Sequence, residues 1–458
     1  MSVDAAGTLI DVPQWIDQQK LSSLQILVAV ICGVAVMIDG FDAQIIGFVA
    51  PAVIGEFKVQ PQMLAGVFSA GLFGILIGCL FLAPIADWVG RRSIMITSVL
   101  VFALATLATA WVNDLDQLMT LRFLTGIGLG ACMPNALALT SEYAPMRMRG
   151  RITAWMFTGF SVGAFAGGVL AAQIIPAYGW RSMFIVGGIL PLLLCLVMVF
   201  ALPESVRHLA AKKAAPVHIA AILKRIYPDP QLTRDTRFMI SEEHARGFTL
   251  PHLFKQGRAT GTVLLWVMFF LMLFDVFLLA SWTPTVLIGA GLSREQAVYA
   301  GAAQQAGSVM ATILLGPLFD RIGFYRTLVP LLLASAIGVI VMGAAGTNLA
   351  VTDTAAFLAG AGVMGGQTTL IVLAGAFYPT FIRATGVGWG LGIGRTGAIV
   401  GPLVGGAMLA SQWRPEQIFQ LAAIPPVIVA CLLLVMSRLT RAKRRACVLA
   451  LMNSGSEP

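Results

Sequence analysis

The chain has 458 residues, of which 58% are hydrophobic and only 11% charged, with a formal net charge of +9. A soluble domain carries roughly a quarter charged residues, so this composition excludes a water-soluble enzyme and points to a membrane protein. The basic surplus needs no nucleic-acid partner, because its placement along the chain fits a membrane surface.

The first twenty residues hold Asp4, Asp11 and Asp17 against a single Lys20. They lack the basic start of a secretory signal, so the first apolar helix is predicted to be its own insertion signal. Apolar runs of about 20 residues, enough for a helix to cross roughly 30 Å of hydrocarbon, lie near 24–50, 62–84, 93–111, 117–140, 152–175 and 181–202. A polar segment follows, with Pro228-Asp229-Pro230 and all four histidines, His208, His218, His244 and His252. It reads as a linker with some amphipathic helix. A second set of runs lies near 261–284, 296–319, 325–346, 354–376, 386–411 and 417–438.

Landmarks repeat between the two sets. Pro84, Asp87 and Gly90 recur 233 positions on as Pro317, Asp320 and Gly323. Pro145, Arg149, Trp155, Gly163 and Gly167 recur 234 positions on as Pro379, Arg383, Trp389, Gly397 and Gly401. Duplicated halves of this kind are characteristic of secondary transporters that alternate between inward- and outward-open states. The expected fold is all-α and integral to the membrane: twelve transmembrane helices in two pseudo-symmetric six-helix bundles. The expected division is a cytoplasmic tail 1–23, a first bundle 24–202, a linker 203–260, a second bundle 261–438 and a basic tail 439–458.

If the tails, the linker and the loops after spans 2, 4, 8 and 10 share one face, they hold all but six of the 30 Lys and Arg. Lys58, Arg181, Arg294 and Arg414 fall on the other face, and Arg122 and Arg395 within spans. That asymmetry makes the first face cytoplasmic. The basic run Arg438, Arg441, Lys443, Arg444 and Arg445 is then expected against anionic lipid headgroups. Cys32, Cys79, Cys132, Cys195 and Cys431 lie in spans and Cys447 in the tail, without a C-x-x-C pair, so neither disulfides nor a metal site are expected. No phosphate-binding loop of the G-x-x-x-x-G-K-[ST] type occurs. No cofactor is expected beyond the proton as a coupling ion.

Charges within a bilayer are costly and mark functional sites. Asp39 and Asp42 are three apart in the first span and share a helical face. Two close acids in low dielectric do not both ionise cheaply, so one is expected to carry a proton near neutral pH. The alternative is a static pairing with Arg122, which lies at similar outer depth. Arg395, near the midplane, suits a carboxylate ligand that takes two hydrogen bonds from guanidinium. A structural pair with Asp275, or with a neighbouring carbonyl, is the other reading. Asn135, Gln304, Gln305 and Gln367 lie at similar depth and serve either substrate or helix association. Phe41, Phe157, Phe160, Trp282 and Trp389 are candidates to stack on a ring or simply to pack. The glycines of spans 5 and 11 are expected at close helix contacts.

With these residues in hand, the whole chain resembles the major facilitator superfamily. That family's signature after the second helix is similar to G-x-x-x-D-R-x-G-R-R. Here the stretch runs from Ala83 to Arg92 and departs at Ala83 and Trp88, while the repeat copy keeps Gly316 and Arg321 but has Phe324 and Tyr325 for the arginine pair. The resemblance implies a cytoplasmic gate of Asp87, Arg91, Arg92, Glu142, Asp320 and Arg321. In it, Arg91 lies near Glu142, and Asp87 at the amino end of span 11, where a carboxylate is stabilised. Asp39-Gly40-Phe41-Asp42 with Gly47-Phe48-Val49-Ala50-Pro51 looks like the first-helix motif of the aromatic acid:proton symporters. Arg122, Glu142, Ser281-Trp282-Thr283-Pro284 and Arg395 fit the same pattern. The implied function is import of a small aromatic acid with protons into bacteria, through Asp39 and Asp42; Asp275 is an acid that the resemblance does not call for, and it reads as a second proton site or as the mark of a different substrate. The implied substrate set is Arg395, Arg122, Asn135, Gln304, Gln367, Phe160 and Trp282, in a protein that is monomeric by the same resemblance. A carrier of another organic anion, or a sensor of aromatic acids, is the alternative.

Overall fold

The computed structural model of the chain describes residues 9–212, 215–228, 236–239, 250–255 and 257–454, without the side chains of 9, 237, 320, 380, 381, 384 and 440–454. Asp4, Asp229, Pro230, His244 and the side chains of Asp320, Arg441, Lys443, Arg444, Arg445 and Cys447 therefore lie outside the described residues.

Two compact units divide the chain: Met1–Val59 with Gly66–His244, and Gln60–Ala65 with Ala245–Pro458. The first starts with strand β1 (Leu9–Asp11) and α1 (Val12–Gln18). Its helices continue as α2 (Ser23–Phe57), α3 (Leu64–Ile77), α4 (Ala83–Val89), α5 (Arg91–Ala108), α6 (Leu115–Tyr143), α7 (Met146–Tyr178), α8 (Arg181–Ala201), α9 (Val206–Ala211) and α10 (Pro216–Ile226), followed by β2 (Arg237–Met239). The second holds α11 (Ala259–Gly289), α12 (Arg294–Ile322), α13 (Phe324–Ala344), α14 (Leu349–Phe377), α15 (Thr380–Ala410), α16 (Pro415–Ala422) and α17 (Ile424–Ser454).

Local chemistry sets the helix ends. Ser22 and Gln25 form a reciprocal cap on α2, as Ser293 and Gln296 do on α12, each pair satisfying two otherwise orphaned amides. Asp114 accepts the Gln117 amide at 2.7 Å at the start of α6, and Asn348 caps α14 through Val351. Gly90 (φ 111°) and Gly323 (φ 94°) turn the chain between α4 and α5 and between α12 and α13, a backbone region that suits glycine. Between α3 and α4 a π-helical turn, Gly78–Leu82, precedes Pro84, whose missing N–H and bulky ring disturb the regular ladder.

Among the described residues, eleven helices are long and apolar enough to cross a membrane. The remaining helix of the expected twelve, α12, has 29 residues but carries Gln304, Gln305 and Ser308, all buried within its unit. The last span is split: α16 ends before Pro425 and Pro426, which sit in the first turn of α17, where lost N–H groups cost least. The helix α17 then continues to Ser454.

The repeat is visible contact by contact. A Cβ on Gly163 would strike the Met37 carbonyl, and one on Gly397 would strike the carbonyl of Phe270, so α2 against α7 and α11 against α15 are equivalent close pairs. Gly128 lies against Ser98 and Phe102, and Gly362 against Leu331 and Ser335, which makes α5–α6 and α13–α14 equivalent too.

The tail and linker add structure to the first unit. The strands β1 and β2 pair in parallel, Ile10 opposite Phe238. Val12, Trp15 and Ile16 of α1 are buried in one core with Val206, Ile219, Leu223 and Ile226 of the linker and with Val28 and Ile31 of α2. This apolar face gives the short α9 and α10 their reason to be helical.

Candidate functional site

Within the first unit, α2 and α6 bring two buried charges together. Nη1 of Arg122 lies 3.3 Å from both carboxylate oxygens of Asp42, with side chains 4% and 3% exposed. Such a pair is costly to bury unless its other hydrogen-bonding capacity is met, and here most of it is, with Nε of Arg122 left without a partner. Thr106 Oγ1 donates to Asp42 at 2.9 Å, and Arg122 Nη2 donates to the hydroxyls of Thr106, Thr109 and Thr125 at 3.4, 3.1 and 3.1 Å. The guanidinium carbon also stands 4.9 Å from the ring centroid of Phe184, a cation–π contact. Asp39, one turn earlier on α2, is buried as well. Asn135 spends its amide on the Ala131 carbonyl of its own helix at 2.8 Å, and half-buried Phe160 lends its backbone carbonyl to the contact with Gly40.

A second network lies at the α4–α5 turn. Arg91 forms an ion pair with Glu142 and stands 3.6 Å from Asp87. Glu142 also accepts from Ser205, Arg92 donates its amide to Glu204 at 3.1 Å and its guanidinium to the Val199 carbonyl. Tyr143 donates its hydroxyl to the Glu204 carbonyl at 2.7 Å, and Gln25 donates to the Tyr143 carbonyl at 2.7 Å. Glu204 and Ser205 come from the linker, which had been read as a connection only. The sequence signal was an acid and a hydroxyl directly after Pro203, at the end of an apolar run.

The second unit carries polar groups with unmet partners. Asp275 of α11 is fully buried, and neither carboxylate oxygen has a hydrogen-bond partner. The same holds for Nε2 of buried Gln304 and for Oε1 of half-buried Gln367. Trp282 is 1% exposed and donates its indole N–H to the Pro402 carbonyl at 2.9 Å, so its ring packs inside this unit. Arg395 stands midway along α15, partly buried, with no hydrogen bond or ion pair to another described residue. The alternative pairing of Arg395 with Asp275, or with a neighbouring carbonyl, is therefore not formed. Arg321 is exposed near the end of α12.

A buried acid–arginine pair in one helical unit, and an unpartnered arginine at the middle of a helix in a duplicate of that unit, are features of a carrier. The Major Facilitator Superfamily model matches residues 32–389 and 291–448. The chain belongs to the Major Facilitator Superfamily. It is 39% identical to the 4-hydroxybenzoate transporter PcaK of Pseudomonas putida over 93% of this chain and 95% of that one. With the gallate transporter of Pseudomonas putida it shares 37% identity over 93% of this chain and 94% of the relative. Its fold matches that of the xylose transporter XylE from E. coli in an inward-open conformation, with a TM-score of 0.68 at 17% identity, over 89% of this chain and 95% of that one. The superfamily member described here is thus a multi-pass membrane transporter and not an enzyme.

Proposed function

We propose that this transporter is a proton symporter that imports a small aromatic carboxylate across the bacterial inner membrane by alternating access, with both termini cytoplasmic. Hydroxybenzoate, protocatechuate, benzoate, gentisate and phenylpropionate types define the class. The relatives named for 4-hydroxybenzoate and gallate, at 39% and 37% identity over nearly the whole chain, support the substrate class. The concentration of Lys and Arg on one face supports the orientation.

The observation that carries the mechanism is Arg395, a guanidinium at mid-helix without a protein partner. A membrane-embedded arginine is stabilised by an anion, and a carboxylate meets it with two parallel hydrogen bonds. Asp39 and Asp42 supply the coupling protons. Protonation of Asp42 neutralises its half of the ion pair and frees Arg122, so that proton binding changes a contact between α2 and α6. The network of Arg91, Glu142 and Ser205 holds the α4–α5 turn to α6 as the gate of this unit, and the proton is the only cofactor.

The test is uptake of radiolabelled 4-hydroxybenzoate into proteoliposomes under an inward proton gradient. Wild type accumulates substrate, Arg395→Ala does not, and Asp39→Asn no longer responds to the gradient. Absence of uptake of 4-hydroxybenzoate, benzoate and protocatechuate by correctly inserted wild type would refute the substrate class.

A further inference from the structure

The repeat places Asp275 at the position that Asp42 holds in the first unit. Asp42 follows Met37 and Phe41, which lie against Gly163 and Gly167; Asp275 follows Phe270 and Phe274, which lie against the equivalent Gly397 and Gly401, through the carbonyl of Phe274 where Phe41 uses its ring. Every partner of Asp42 has a counterpart in the second unit through the same correspondences. Arg122 corresponds to Ala356, because α6 and α14 start at Leu115 and Leu349 and their Gly128 and Gly362 make equivalent contacts. Thr106 and Thr109 correspond to Val339 and Met342, because Ser98 and Leu331 face those two glycines equivalently.

The carboxyl position is thus repeated while everything that stabilised its charge is replaced by apolar side chains. Ala356 and Val339 are 0% exposed and Met342 is 1% exposed, so water does not substitute for the lost partners. Asp275 itself is 0% exposed with both oxygens unbonded, and no ion pair to it is formed among the described residues. Neither the guanidinium of Arg395 on α15, nor Asp353 on α14, nor Gln304 on α12 bonds to it, since both of its oxygens are without a partner. An isolated carboxylate in such surroundings costs several kcal/mol, whereas the neutral acid costs only an unmade hydrogen bond.

We propose that Asp275 is a second proton-binding site, occupied in this conformation, so that each repeat unit carries one proton: the first on its Asp39–Asp42 face and the second on Asp275. The proposal rests on the symport reading above. Two protons with one monocarboxylate move one net positive charge inward, so transport is driven by an inside-negative potential as well as by the proton gradient. With Asp275→Asn, which copies the neutral acid in shape, one proton balances one carboxylate and transport becomes electrically silent.

The experiment compares wild type with Asp275→Asn and Asp275→Leu in proteoliposomes, with the proton gradient and the potassium-clamped membrane potential set independently and 4-hydroxybenzoate as the probe. In wild type, uptake rises with inside-negative potential; in the folded variants, uptake driven by the proton gradient persists and the response to potential is lost. Potential-independent uptake in wild type, or an unchanged potential response in Asp275→Asn, overturns the proposal while leaving symport intact. Loss of all uptake in wild type strikes the symport reading itself. Infrared difference spectroscopy gives a readout that does not need transport: a protonated-carboxyl band that survives Asp39→Asn/Asp42→Asn and disappears on Asp275→Leu supports the site. Its absence from the double variant overturns it.

Discussion

Removing Arg122 tests the buried pair most directly. In Arg122→Met the side-chain volume is nearly kept, but Asp42, 3% exposed, loses its cation and retains only the Thr106 hydroxyl at 2.9 Å. Breaking a buried ion pair from one side costs about 3–5 kcal/mol, because the remaining charge stays desolvated. That is roughly two to four orders of magnitude in an unfolding equilibrium at about 1.4 kcal/mol per tenfold. Adding Asp42→Asn removes the stranded charge and leaves a neutral amide that accepts from Thr106. The double variant is therefore expected to recover at least about 2 kcal/mol relative to Arg122→Met, an energetic coupling typical of residues in direct contact. The assay is denaturant unfolding in one defined micelle, reading wild type, both single variants and the double. Equal destabilisation in Arg122→Met and in the double variant would show that Asp42 is not the charge Arg122 compensates, and the pair would then have no energetic standing.

Three further outcomes follow from the packing and the gate network. Gly163→Ala and Gly397→Ala, whose Cβ atoms would collide with the carbonyls of Met37 and Phe270, are expected to lose the monodisperse folded peak in detergent chromatography. Gly388→Ala, which meets nothing within 4 Å, should keep it. Glu142→Gln should lower thermal stability by about 1–3 kcal/mol through its loss of charge-assisted contacts, while Asp87→Asn, 69% exposed and 3.6 Å from Arg91, should stay within about 0.5 kcal/mol of wild type. Tyr143→Phe removes the hydroxyl donated to Glu204, and a loss of about 1 kcal/mol in the same thermal assay is expected.

Much of the fold was legible because membrane spans must be apolar and long, and because prolines and glycines mark backbone positions that no neighbour can disguise. Gly90 and Gly323 were matched by spacing alone, and both prove to have the positive φ that explains why glycine stands there. The polar character of α12 was harder to read, since Gln304 and Gln305 lower its apolarity while being buried. The pairing of β1 with β2 joins three-residue strands from opposite ends of the first unit, and nothing local announces it. At the site, equal depth along two helices sufficed to bring Asp42 and Arg122 together. The threonines were missed for a physical reason: a membrane threonine ordinarily bonds back to its own helix. Thr109 and Thr125 do so, to Ala105 and Leu121 at 2.8 Å, and accept from Arg122 as well. A hydroxyl that donates within its helix keeps lone pairs for a neighbour, which a sequence pattern does not display.

Each unit repeats the same internal packing pattern but not the same charge inventory, and the difference has a physical basis. Where backbones touch, as at Gly163 and Gly397, any side chain would separate the helices, so shape alone dictates the residue. Away from those contacts a polar residue is free to vary as long as its partners vary with it. In the first unit the acid of α2 came with an arginine, three hydroxyls and an aromatic face. In the second, the acid of α11 has no hydrogen-bond partner, and the positions equivalent to Arg122, Thr106 and Thr109 are the buried Ala356, Val339 and Met342, while the arginine stands on α15 without a described protein partner. A scaffold that pairs one unit's buried charges with each other and leaves those of the other without partners is suited to two separate tasks. Under the proposed mechanism the closed pair answers to a proton, which is small enough to enter a packed cluster, and the open guanidinium to an anion that must come and go.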